Sequence, residues 1–184
     1  MKTKFNQFLN ESKNSGIICY HRSNDYEHME RAEFTLEFSN DVTMFGRAIY
    51  FAESAGISQE FGKYMCKFEI KLQEPVLNMN DEITSEYANE LLVKFNDMFN
   101  LKIDYDYDLL YEDGMQYGNF FCEINDLYNW DYAIHYQKFI QSLGFNSFKY
   151  FCTYHTDFRE DEGDYGTCYG LYNRKDIKFV DGPF

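Results

Sequence analysis

A mixed α+β domain is what the sequence predicts, and three observations predict it. Strand-like segments gather at both ends, Ile17–His21, Arg47–Ala52 and Tyr64–Leu72 on one side and Phe145–Tyr150, Cys168–Tyr172 and Ile177–Val180 on the other. Between them, residues 85–99 and 131–143 carry apolar side chains at helical spacing. The 184 residues hold no internal repeat, and 45% are hydrophobic, enough to offset the entropy of ordering a single core. Strands at the ends and helices in the middle suit a segregated α+β architecture and not a doubly wound sheet.

Each element has its own justification. Residues 1–13 are expected to stand apart from a single domain at 14–184. Phe5, Phe8 and Leu9 fall on one face of a short helix, and a polar stretch follows Glu11. IICYH, residues 17–21, reads as a buried strand after Gly16, and RAIYFA, residues 47–52, as a second. Ser54 stands where it would cap a helix running through Ile57, Ser58 and Phe61 to Gly62. In residues 64–72, Tyr64, Cys66, Phe68, Ile70 and Leu72 alternate with Met65, Lys67, Glu69 and Lys71, as a half-buried strand requires. Pro75 ends that strand. Ala88, Leu91, Leu92, Phe95 and Phe99 then mark one helix face, and Tyr132, Tyr136, Phe139, Ile140 and Leu143 another, stopped by Gly144. Between the helices, residues 104–126 are rich in Asp and Gly. They predict a loop-rich, acidic aromatic insertion around residues 100–128.

Composition excludes several roles. With 17 Lys+Arg against 31 Asp+Glu, the net charge of −14 disfavours nucleic acid and anionic membranes as partners. No run of about 18 apolar residues predicts a membrane span, and the N-terminus lacks the apolar centre of a secretory signal. Cys19, Cys66, Cys122, Cys152 and Cys168 are spread singly, an odd count with no C-x-x-C pair, which suits a reducing cytoplasm. His28, His135 and His155 have no partner at ligand spacing, and Asp104, Asp106 and Asp108 lack the rest of a calcium loop. No metal site is expected. Phosphate loops and nucleophile elbows are also missing. The 17 Tyr and 19 Phe either fill a core or line a site.

One ordered set of residues carries chemistry. His21-Arg22-Ser23 ends the first strand, and Phe45-Gly46-Arg47-Ala48-Ile49-Tyr50-Phe51-Ala52-Glu53 follows, with Ser58 and Phe61 eight and eleven residues after Tyr50. Later come Leu143-Gly144-Phe145-Asn146, then Tyr169-Gly170-Leu171-Tyr172-Asn173 with Ile177-Lys178. The set resembles the ADP-ribosyltransferase superfamily, in its diphtheria-toxin and poly(ADP-ribose) polymerase branch and in a phage-type member of it. That branch has His-Gly-Ser/Thr on its first strand, Gly-x-Gly-Ile-Tyr-Phe-Ala on the next, and a Ser and a Tyr at those two offsets. The resemblance spans roughly residues 17–180. It implies a split β-sheet core of two packed, mainly antiparallel sheets with flanking helices.

The resemblance also implies NAD as substrate, a host protein as acceptor and the host cytoplasm as the place of action. His21 would bond the adenosine ribose 2′-OH. The Arg22 backbone would clamp the nicotinamide carboxamide with the Ser58 hydroxyl, Ser23 and Ala52 flanking. Tyr50 and Phe61 would sandwich the ring, with Phe51 behind them. Such a site suits the chemistry, because cleaving the nicotinamide–ribose bond needs aromatic walls and polar groups around a developing oxocarbenium. Arg22 stands where the family has Gly, which is tolerable only with ordinary backbone angles.

Two further points follow from the same comparison. Met1-Lys2-Thr3 with Phe8-Leu9-Asn10-Glu11 resembles the capsid-targeting leaders of internal proteins of large tailed phages, which a virion protease cuts after Leu/Ile-x-Glu. That implies packaging in the virion and removal of residues 1–11. Cys168 stands where active members carry the Glu that bonds the nicotinamide ribose, and a thiol supplies no carboxylate. Either a nearby acid serves, Asp164 being on the same strand face but about 13 Å along it unless a bulge intervenes, or transfer of single ADP-ribose units is slow. The alternative is a catalytically impaired fold that binds NAD, ADP-ribose or a partner protein.

Overall fold

The computed structural model describes residues 16–31, 44–58, 62–107, 111, 114–154 and 164–184. The alternation noted at 64–72 forms a strand over Tyr64–Ile70, with Cys66, Phe68 and Ile70 inward. In chain order the elements are β1 (Ile17–Ser23), α1 (Tyr26–Glu30), β2 (Ile49–Ala52), a 3₁₀ turn at Gly56–Ser58 and β3 (Tyr64–Ile70). Then come β4 (Val76–Asn78), β5 (Glu82–Ile83), α2 (Ser85–Phe99), β6 (Met115–Gln116) and α3 (Tyr117–Tyr128). A 3₁₀ turn at Ala133–His135 leads into α4 (Tyr136–Ser142), followed by β7 (Ser147–Tyr154), β8 (Asp164–Leu171) and β9 (Ile177–Asp181). The α+β class is therefore observed, with a large and mostly antiparallel sheet.

Seven strands form that sheet in the order β4-β7-β8-β2-β1-β3-β9, and β5 and β6 make a separate ribbon. Among the described residues, only the β4–β7 pair is parallel. The sheet is one hydrogen-bonded unit, not two, but β1 and β2 share a single register pair, Tyr20 with Ala52. Its two faces carry different cores. Helices α2, α3 and α4 pack with Leu77, Phe148 and Tyr172 in one cluster. Cys19, Phe51, Phe68, Ile70, Tyr169 and Leu171 make the other, covered by Met29 of α1.

Two sequence expectations are corrected. Residues 104–126 are not a loop-rich insertion, because α3 occupies their second half and supplies Phe120 and Phe121, both fully buried. Gly118, which argued against a helix, lies where an added Cβ would come within 3.2 Å of the Met79 carbonyl, so it permits close approach. The Asp-rich first half feeds the same core through Tyr107, whose hydroxyl donates to the Phe120 carbonyl. The helix expected from Ser54 to Gly62 is, among the described residues, only the 3₁₀ turn at Gly56–Ser58. α2 spans residues 85–99 as expected, capped by the Thr84 hydroxyl and closed at Asn100 in the left-handed region. The second helix is shorter than its periodic pattern, with 3₁₀ geometry over its first residues. Residues 1–13 lie outside the described residues.

Candidate functional site

β1 pairs with β3 over its full length, and β2 pairs with β8. Past Tyr20 and Ala52 no further register pair joins β1 to β2 among the described residues, so the backbone ladder opens there and a side chain spans the gap. His21 stands at that opening, with Nδ1 2.6 Å from the Tyr50 carbonyl oxygen. A carbonyl only accepts, so Nδ1 carries the proton, and the neutral ring then presents Nε2 as its acceptor. Burial lowers the His21 pKa, and the bond to the Tyr50 carbonyl opposes that only in part. Phe51 and Phe68 wall the ring, with centroids 5.5 and 6.3 Å away.

The motif strand presents two faces. Phe51, 2% exposed, joins the core behind His21, whereas Tyr50 faces the opposite side. The Tyr50 hydroxyl donates to the Gly46 carbonyl at 3.0 Å, and its ring meets Phe148 edge-on at 5.6 Å. Two glycines make that arrangement possible. Gly46 adopts φ +84° with Ala133 O 2.9 Å from where a Cβ would stand. Gly170, the register partner of Tyr50, lies under the Phe148 ring, where a Cβ would meet Phe148 Cζ at 2.0 Å.

Arg22 has ordinary strand geometry, paired in register with Met65. The condition set by the missing glycine is therefore met. Its guanidinium donates to the Gly62 carbonyl at 3.4 Å and to Met65 Sδ at 3.6 Å. Gly62 closes onto the end of β1, since an added Cβ there would lie 2.6 Å from the Ser23 carbonyl carbon. The Lys63 N–H donates to Asn24 Oδ1, which fixes the same junction. Ser23 Oγ accepts from the Asp25 N–H and starts the turn into α1. Phe61 lies outside the described residues. Ser58 ends a 3₁₀ turn that packs against β1, β2, β7 and β8. His21 and the Tyr50 carbonyl thus meet at the opening, with Ala52 at its edge, while the Tyr50 ring faces the other side of the sheet. Arg22 and Ser23 turn toward Gly62, Met65 and Asp25, and the backbone of Ser58 belongs to a turn beside β1 and β2.

Cys168 lies opposite Ala52 on β2 and opposite Tyr150 on β7, buried with Ala52 and Ile57. It shares the Tyr50 face of the sheet, two residues along. Asp164 is not brought to it. β8 pairs with β7 residue for residue from Asp164 to Leu171, with no bulge, so the two positions stay about 13 Å apart along the strand. The reading that Asp164 serves at Cys168 is corrected on that ground. Two neighbours were missed in the sequence. Tyr150 was legible, because strand alternation extended past residue 150 sets it across from Cys168. Glu53 was not, because its position depends on how the chain bends after β2. Its N–H donates to the Thr167 carbonyl at 2.9 Å, and its Oε2 accepts from the Thr167 N–H at 3.1 Å.

Compared with protein-family models, curated proteins and solved structures, the chain matches none. Among the described residues, no group of three or more His, Cys, Asp or Glu is placed to hold a metal ion. No described helix is long and apolar enough to cross a membrane.

Proposed function

We propose that the protein is an NAD-dependent mono-ADP-ribosyltransferase of phage type that modifies a host protein in the bacterial cytoplasm. The observation that carries this reading is the His21–Tyr50 bond at the opening between β1 and β2, with Cys168 on the Tyr50 face beside it. An ADP-ribosyltransferase core is split, and a sheet whose β1–β2 junction has a single register pair is compatible with that.

The chemistry runs as follows on this reading. NAD lies in the opening, with the adenosine ribose 2′-OH donating to His21 Nε2. The nicotinamide ring stacks on Tyr50 and Phe61, and the Arg22 backbone and Ser58 hold its carboxamide. The bond between ribose C1′ and the pyridinium nitrogen breaks, and its electron pair stays on the nitrogen, which leaves as neutral nicotinamide. The acceptor's lone pair then bonds C1′, and its proton passes to solvent. The Phe51 and Phe68 rings beside His21 favour its neutral form, which keeps the ring an acceptor.

Incubation with labelled NAD and bacterial lysate tests the proposal. Expected are a labelled host protein and free nicotinamide; neither product appearing removes the enzymatic reading. Cys168 favours a second reading, a module that binds NAD or ADP-ribose without turnover, because a buried thiol there stabilises no positive charge. Calorimetry that records NAD binding without nicotinamide release supports this second reading.

A further inference from the structure

We infer that Glu53, reaching over from the neighbouring strand, supplies the carboxylate that Cys168 does not. This inference rests on the ADP-ribosyltransferase reading and names the acid that reading lacks. Glu53 follows Ala52, the register partner of Cys168, and is bonded twice to Thr167, the residue before Cys168. Backbone pairing fixes its Cα, and acceptance of the Thr167 N–H turns its carboxylate back along the β2–β8 seam.

The side of the sheet is also set. An added Cβ on Gly166 would point to the Cys168 face, as alternation over two residues requires, and would meet Ile57 Cδ1 at 2.6 Å. Ile57 packs with Cys168 on that face. The same point lies 3.9 Å from Glu53 Oε2, so the carboxylate stands beside the Cys168 side of the strand. Gly166 leaves room for Ile57, and the Glu53 carboxylate lies in ordinary contact range beside it.

Of the described titratable groups around Glu53, Tyr169 of β8 feels its charge, which adds to burial in raising the Tyr169 pKa. β1, β2 and β7 contain no Asp or Glu, and Glu69 of β3 is paired with Lys178 at 3.6 Å. Among the described residues Glu53 makes no ion pair, and it is exposed. A carboxylate has about four lone-pair sites, and the Thr167 N–H uses one. On this inference the remaining sites accept from the 2′-OH of the nicotinamide ribose and face the charge that develops at C1′. When the C1′–N bond breaks, the electron pair leaves on nicotinamide. The acceptor's proton goes to solvent.

The test compares Glu53→Gln, Asp164→Asn and the double variant Glu53→Gln/Cys168→Glu with wild type, measuring nicotinamide release and calorimetric NAD affinity. Gln retains an oxygen for the Thr167 N–H, so the seam survives the substitution. Expected for Glu53→Gln is a fall in kcat of about 100-fold with affinity held within about 3-fold, as for loss of a charge-stabilising group. Asp164→Asn is expected to leave kcat unchanged, and Cys168→Glu to restore most of the lost rate. A wild-type enzyme that releases nicotinamide while Glu53→Gln keeps its kcat overturns this inference alone. A wild-type protein that neither binds nor cleaves NAD overturns the underlying reading with it.

Discussion

His21 is where one side chain decides most. Its pKa in the fold is lowered by burial below the ordinary value of about 6.5. Between those two values the unfolded chain binds more protons than the folded one, so stability rises with pH. The contribution is full above pH ~6.5 and is lost as pH falls through that value toward the folded one. The urea midpoint of wild type should therefore exceed that of His21→Gln by more at pH ~7.5 than at pH ~5.5. An equal gap at both pH values would count against a buried neutral ring. Gly170 makes a second test at this scale. Alanine there must push the Phe148 ring away, an overpacking cost of about 1–3 kcal/mol by chemical denaturation. Because Phe148 supports Tyr50, NAD affinity should fall with it.

Among the elements, α3 separates what the sequence revealed from what it concealed. Helix α2 and strand β3 were legible because each has one apolar face at the right period over many residues, and burial follows that face. α3 was not, because Gly118 and the surrounding acids argue locally for a loop, and only contact with Met79 and Phe45 explains the glycine. Phe120→Ala should cost about 3–5 kcal/mol, as for an aromatic side chain removed from a closed core. Removal of residues 100–128 should yield a chain without a cooperative thermal transition; retention of the wild-type Tm would restore the insertion reading. The site divides in the same way. Motif offsets singled out His21 and Tyr50, which lie together at the opening. Glu53 depends on a bend after β2 and a bond to Thr167, neither of which has a local signature.

For the whole molecule, charge and sheet topology meet. A net charge of −14 would speed the approach of any basic acceptor protein, and salt screens such attraction over about 10 Å at 0.1 M. Raising salt from roughly 50 to 300 mM should slow labelling of a basic protein several-fold while leaving nicotinamide release nearly constant. Parallel losses in both would place the salt effect on NAD itself. The aromatic content also divides at this scale, most of it filling the cores on the two faces of the sheet. The most direct measurement is the release of nicotinamide from NAD by the purified full chain, followed by chromatography. Time-dependent release that is abolished in His21→Ala and raised by adding host lysate is the predicted result. An NAD pool that stays intact, with no binding by calorimetry, would contradict it.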